Sequence, residues 1–473
     1  MNLGQGNGRW GVLPFAHKEL EIAQVTLPTT LIFISTSLQL ILRTEQVRDR
    51  YLNYFFTMES SQNIPAFDDY WLKIPERQRQ AFLVRTAELL HRYGTPSHRL
   101  ERVMVEFSNT LATPSVYLYT PTALLVSFGT GDQERTLLRR VDAGEVDASK
   151  LFEFDEILEE VEARRLDLNS ALARMEMVAA APPPYGWLAT SAACSVACGV
   201  VAVLFGAGAV EVLVALSLGL LLAMVEPLFT KFGGENGLFS PVAGFFAATV
   251  SLLIAKFIAP LDDRLATLAS VVILLPGLQL TVALTELAMG HLSAGVARTA
   301  GAITKLLTLV VGVALAWRMF GGYRNIPSEV LWPLSAWAWW FAVLAAPIAF
   351  AVLFRARAKQ WPVIFCISVV GFAASYFGGE VAGGEFGAFL GAFAVGCGSN
   401  LYARIYNRPA LIPLNPSMLI LVPGSLGYRS FTALVNRETV AGIDFAFSML
   451  MIAIALVGGL LASTTALPPR RNL

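Results

Sequence analysis

Three carboxylates stand where the chain is otherwise apolar: Glu226 in "AMVEPLF", Glu286 in "TVALTELA" and Asp444 in "AGIDFAFSML". A carboxylate removed from water exchanges its proton nearer neutrality than a solvated one, and ionisable groups in membrane segments face a cavity or a partner. Glu226, Glu286 and Asp444 are therefore the groups that could couple proton movement to transport. A second set surrounds two Pro-Gly dipeptides. Pro276-Gly277 interrupts "SVVILLPGLQLTVALTEL", followed by Gln279, Thr281 and Thr285. Pro423-Gly424 interrupts "LILVPGSLGYRSF", with Asn415 and Ser417 ahead and Ser425, Tyr428 and Arg429 behind. Proline inside a helix costs about 3 kcal/mol, because it removes a donor and clashes with the preceding turn. A broken membrane helix presents partly positive N-termini and partly negative carbonyl ends, a dipolar site for a small ligand. Pro276, Gly277, Gln279, Thr281, Asn415, Ser417, Pro423, Gly424 and Ser425 are accordingly the expected substrate-binding residues.

Each has a plainer explanation. Either Pro-Gly alone reads as a packing kink. Glu286 and Arg429 could mark helix ends, Lys305 could snorkel, and Asn400 could tie helices together. The elements that carry these residues decide between the readings.

The chain has 473 residues, 55% of them hydrophobic and 15% charged, with mean hydropathy +0.57. That profile belongs to a mainly α-helical polytopic membrane protein. The zero net charge hides an uneven spread. Residues 58–180 hold 14 Lys/Arg against 20 Asp/Glu, and residues 181–473 hold 16 against 11. Neither is a nucleic-acid footprint.

From Trp187 onward, ten apolar segments approach the roughly 20 residues that span a bilayer. They lie near 187–207, 209–229, 240–258, 265–288, 298–319, 332–354, 361–378, 384–404, 410–433 and 442–463. Ahead of them, residues 58–180 read as a small soluble α+β domain. "IPERQRQAFLVRTAELLHRYG" and "TPSHRLERVMVEFSNTLA" are amphipathic helices, the first ended by Gly94 and the second capped by Thr95 with Pro96 in its first turn. "SVYLYTPTALLVSFGTGDQERTLLRRV" alternates as strands, with a turn at 129–132, and "DEILEEVEARRLDLNSALARMEMV" returns to one helix. Residues 1–57 are expected to be an extension outside the native chain or without ordered structure, with Met58 as the true start.

The basic residues Arg355, Arg357 and Lys359, then Arg404 and Arg408, then Arg470-Arg471 share the side of the soluble domain. "APLDDRL", Glu380 and Glu385 fall on the other. The positive-inside rule makes the basic side cytoplasmic, with both termini and the 464–473 tail there. The plasma (inner) membrane is the expected location.

The chain also repeats. "VILLPG" at 272–277 matches "LILVPG" at 419–424, an offset of 147; Thr285 and Thr432, Leu287 and Leu434, and Ala294-Gly295 and Ala441-Gly442 keep it. "FGGE" recurs at 232–235 and 377–380, an offset of 145. Five spans per copy is an odd number, so residues 187–325 and 332–463 are expected to be inverted repeats, as in many secondary transporters. Matched breaks favour a site over two chance kinks.

Other chemistry is missing from the pattern. Cys194, Cys198, Cys366 and Cys397 lie in apolar stretches, and His17, His91, His98 and His291 are scattered, so no metal site is expected. No P-loop, Rossmann fingerprint or nucleophile–base motif points to ATP drive, a cofactor or an enzyme.

"LLHRYGTPSHRLERVM", "LYTPTALLVSFG", "LLPGLQLTVALTEL", "SAGVAR", "AKQWPVIF" and "LVPGSLGYRSF", in that order, resemble the threonine/serine exporter family, which includes fungal pheromone-regulated membrane proteins. The resemblance covers about residues 80–463. It implies a cytoplasmic N-terminal domain, ten spans in two halves, and proton-driven export of small amino acids such as threonine or serine. The expected partners are that substrate, protons and the lipid bilayer. A homo-oligomer is compatible with the pattern, and the oligomeric state stays open. A small dicarboxylate such as succinate is the alternative substrate. A membrane-anchored sensor or hydrolase is a third reading, disfavoured because an anchor needs no paired breaks.

Overall fold

The computed structural model describes residues 69–129, 134–141, 144, 146–231, 236–321 and 332–469. The expectation for residues 1–57 lies outside them, as do most of the 129–132 turn and the last four residues of the tail.

The N-terminal layer follows the amphipathic pattern. After a single turn at Asp69–Leu72 come α1 (Glu76–Arg92) and α2 (Ser97–Thr110). They are joined through Gly94 at φ +89°, where a side chain would be strained. Strands β1 (Ser115–Thr120), β2 (Ala123–Phe128) and β3 (Arg135–Arg140) form an antiparallel sheet in sequence order, with Tyr117 opposite Val126 and Val126 opposite Leu137. The period of two sends Tyr117, Tyr119, Leu124, Val126 and Phe128 into one core with Phe82, Leu100, Met104 and Phe154. The expected single helix after the sheet is two, α3 (Ala148–Glu162) and α4 (Leu168–Ala180). Arg164 adopts φ +59°, and the Asp167 carboxylate caps α4 by accepting the N–H groups of Asn169 and Ser170 at 3.1 and 3.0 Å. "EARRLD" is a turn with a cap, which its charge pattern disguises as a solvated helical face.

Sixteen α-helices of eight residues or more are described. Eight of them are long and apolar enough to cross a membrane, or nine spans if the bent pair at 263–288 counts as one. The eight are α5 (Trp187–Leu204), α6 (Ala209–Lys231), α7 (Asn236–Phe257), α10 (Leu292–Phe320), α11 (Ala336–Leu353), α12 (Trp361–Ala382), α13 (Gly384–Tyr406) and α16 (Thr439–Ala466). The expected spans at 265–288 and 410–433 are each divided. The first is α8 (Asp263–Ser270) and α9 (Gly277–Ala288), bent by 55°; the second is α14 (Leu411–Met418) and α15 (Gly424–Val435). Both divisions end at the Pro-Gly, where a continuous ladder cannot pass.

Several helix pairs of the first half recur in the C-terminal half. Helix α8 packs on α5, α6 and α7, and α14 on α11, α12 and α13. Helix α7 packs on α10, and α13 on α16; α9 touches α10 and α16, while α15 touches α16 and α10. A Cβ on Gly295 would lie 2.6 Å from Leu287 Cγ, and one on Gly442 would lie 2.6 Å from Leu434 Cγ. Small residues permit both close turns.

The N-terminal layer covers one end of these helices. Asp147 meets Arg355 at 3.3 Å, Glu153 pairs with Arg357, and Arg408 lies 3.9, 3.5 and 3.8 Å from Asp155, Glu156 and Glu159. Glu438, at the opposite end of α16, pairs with Arg264 at 3.3 Å.

Candidate functional site

The two proline breaks are near copies. Pro276 has φ −82° and ψ 37°, Pro423 has φ −82° and ψ 32°, and each opens a helix of 12 residues. They also meet. A Cβ on Gly277 would lie 2.5 Å from Val422 Cγ1 and 3.0 Å from Gly424 Cα; one on Gly424 would lie 3.3 Å from Gly277 Cα. Only glycine lets the chains come so close at Gly277. Two helix N-termini, each with unpaired N–H groups and the positive end of its dipole, are thereby brought together.

A cavity of about 290 Å³ adjoins this junction. Gly277, Pro423, Gly424 and Ser425 line it, among apolar neighbours that include Val200, Leu204, Phe350 and Ile420. A second cavity, of about 110 Å³, has more polar residue types in its lining, though most of its surface is apolar. Thr281 and Thr285 reach it from α9, Asn400 from α13, Asn415 from α14, and Ser463 and Thr464 from α16. Further polar lining comes from the N-terminal layer, through His98, Arg99 and Arg102 of α2. Neither aspartate nor glutamate is among the lining residues.

The hydroxyls of α9 are partly committed to its backbone. Thr281 Oγ1 donates to the Gly277 carbonyl at 3.3 Å, and Thr285 Oγ1 to that of Thr281 at 2.8 Å. Ser417 is buried and receives the Ser368 hydroxyl at 2.9 Å, so it braces α14 against α12. Asn400 is 2% exposed, and its Nδ2 has no hydrogen-bond partner among the described residues. Arg99 Nη1 is likewise buried and without a partner there. Burial, then the neighbouring Arg102 charge, pushes the Arg99 guanidinium down to about 10. Burial, reinforced by Arg99, holds the His98 imidazole well below its ordinary value.

The three expected coupling carboxylates fall in different surroundings. Glu226 and Asp444 are exposed on α6 and α16. Glu286 is fully buried beside the polar cavity. It accepts Arg298 Nε at 3.0 Å, Arg298 Nη2 at 3.2 Å and the backbone N–H of Ser97 at 2.9 Å. Of the expected binding residues, Thr281 and Asn415 share the polar cavity, and Gly277, Pro423, Gly424 and Ser425 share the apolar one. Pro276 is buried at the junction itself. Gln279 is exposed beside Gly301 of α10 and lines neither cavity.

Sequence reasoning left out Arg99, Arg102 and Arg298. A faint signal exists for the first two. Cations near the start of a helix oppose its dipole, and the N-terminus of α2 finds its anion in Glu286, 189 positions after Ser97.

Two family models match the chain. "Putative threonine/serine exporter" (ThrE) matches residues 81–320, and "Threonine/Serine exporter, ThrE" matches residues 339–466. Pheromone-regulated membrane protein 10 of Eremothecium gossypii is 27% identical, over 83% of this chain and 56% of the relative. Its namesake in Saccharomyces cerevisiae (strain YJM789) is 27% identical, over 82% of this chain and 54% of the relative. An uncharacterized protein of Schizosaccharomyces pombe is 25% identical, over 83% and 56%. The chain thus spans about half the length of these curated relatives. No solved structure matches it.

Proposed function

We propose, for a chain that belongs to the threonine/serine exporter family and is an integral membrane protein, that it exports small amino acids of the threonine or serine type. The export is coupled to protons and runs by alternating access. Residues 58–180 are the cytoplasmic domain, and residues 187–325 and 332–463 are two inverted five-helix repeats in the plasma (inner) membrane, with both termini cytoplasmic.

The meeting of Gly277 with Gly424 carries this reading. Near-equal dihedrals at Pro276 and Pro423, equal helix lengths after them and several recurring helix pairs support the repeat. A broken helix from each half, touching in the protein interior, is what a pivoting transporter needs at its site. The partly positive N-termini favour negative charge nearby, and Thr281 and Asn415 supply polar partners in the second cavity. Glu286 is the coupling group best placed. It is buried at the cavity edge, and its bond to Ser97 is lost if α2 withdraws.

One observation favours the dicarboxylate alternative. The polar cavity is lined by His98, Arg99 and Arg102 with no carboxylate to receive an ammonium group.

Counterflow in proteoliposomes tests both readings. Labelled threonine and serine should exchange across the membrane and accumulate when a pH gradient is imposed. Exchange of succinate alone would transfer the assignment to the second reading, and exchange of none of the three would end both.

A further inference from the structure

We infer that Arg99 of the N-terminal layer, together with Asn400 of α13, binds the carboxylate of the transported molecule in the second cavity. The inference rests on the transport reading and adds to it. The N-terminal layer becomes part of the binding site.

Three observations carry it. Arg99 Nη1 and Asn400 Nδ2 are buried donors with no partner among the described residues, and both side chains line one cavity. Buried polar groups are nearly always bonded, so two orphan donors on residues lining one cavity point to an acceptor that binds there. Among the described residues no carboxylate fills that role: no aspartate or glutamate lines the cavity, and the nearby Glu286 already receives Arg298 and Ser97. The donors also have the right shape. A guanidinium presents a planar fork that a carboxylate matches with two parallel bonds, and an amide N–H adds a third. A cavity of about 110 Å³ holds the volume of several waters, enough for a three- or four-carbon acid. The apolar walls from Leu278, Leu414 and Met418 exclude water and strengthen the charge-assisted bond.

The site is then closed by a rigid attachment. Arg99 stands two residues after Ser97, whose N–H is fixed on Glu286 at 2.9 Å. The carboxylate subsite therefore forms only when α2 is seated on α9.

The test uses the full chain in proteoliposomes and, separately, in detergent. Counterflow of labelled threonine is competed with threonine, threonine methyl ester and succinate, and the thermal midpoint is read with each. Wild type should be inhibited and stabilised by the two carboxylates and ignore the ester. Arg99→Gln should raise the inhibitory concentration of both acids by about tenfold or more, the worth of a charge-assisted bond. Arg99→Lys, which keeps the charge without the fork, should fall between, and Asn400→Ala should show a smaller loss. Arg99→Lys and Asn400→Ala carry the test if Arg99→Gln does not fold. Variants that discriminate acid from ester as wild type does would overturn the inference and leave the transport reading standing. Stabilisation by acids that requires Arg99, in a protein that exchanges nothing, would sink the transport reading alone. A wild type neither stabilised nor inhibited by acids overturns the subsite.

Discussion

Ser97 donates its backbone N–H to the Glu286 carboxylate at 2.9 Å, joining the first turn of α2 to the far end of the broken helix α9. Arg298 closes the same carboxylate from α10 at 3.0 Å. One buried anion thus neutralises a helix N-terminus and a guanidinium that is only 17% exposed. Glu286→Gln should destabilise the protein by about 3–5 kcal/mol, because it leaves the Arg298 charge buried and unmatched. Adding Arg298→Met should recover part of that loss. Thermal unfolding in detergent of the two single variants and the pair measures the coupling.

The two glycines of the junction should not respond alike. A methyl on Gly277 meets Val422 at 2.5 Å, so Gly277→Ala should cost about 1–3 kcal/mol by overpacking. A methyl on Gly424 meets nothing closer than 3.3 Å, and Gly424→Ala should cost less than about 1 kcal/mol. The same unfolding experiment ranks them, and an equal loss would contradict the asymmetry.

Gln279 and Asn415 flank the two breaks in sequence, but of the two only Asn415 lines either of the cavities described above. Asn415→Ala should therefore lower threonine counterflow severalfold at normal expression, about the worth of one hydrogen bond. Gln279→Ala should leave it near the wild-type rate. Initial rates at saturating and at low substrate separate a binding loss from a turnover loss.

Acid should loosen the N-terminal layer. His91 and His98 both have imidazoles held below their ordinary values, chiefly by burial. His98 also faces Arg99, Arg102, His291 and Arg298, all of which oppose its protonation. The unfolded imidazole binds a proton as pH falls through about 6.5, and the folded one does not. Stability is thus fully present above that pH and declines below it, by no more than about 1.4 kcal/mol per pH unit for each group. Thermal midpoints between pH 7.5 and 5.5 should fall for wild type and fall less for His91→Asn with His98→Asn.

Docking of α3 onto the membrane helices should weaken with salt. Arg408 touches Asp155, Glu156 and Glu159, and its partners are part-exposed except for the buried Asp155. Exposed pairs contribute at most about 1 kcal/mol and are screened. Arg408→Ala should raise amide exchange in α3 and reduce the effect of added salt on it.

Local pattern determined a great deal of this protein. Apolar runs at 187–463 announced the membrane helices, because a bilayer admits little else over that length. The alternation in 115–140 announced strands, and Gly94 the end of α1. The Pro-Gly pair announced two breaks, because proline forbids a continuous ladder whatever surrounds it. The turn at Arg164–Asp167 escaped, since a charged run reads equally as a helical face or as a capped turn. Other facts belong to the tertiary structure alone. The two breaks touch, Gln279 turns away from the cavities, and Arg99 reaches a cavity built mostly from helices about 180 to 370 positions later. None of these has a local signature. Each depends on which helix faces meet, and a helical period sets the angle between neighbouring residues of one helix, not the contacts between helices distant in the chain.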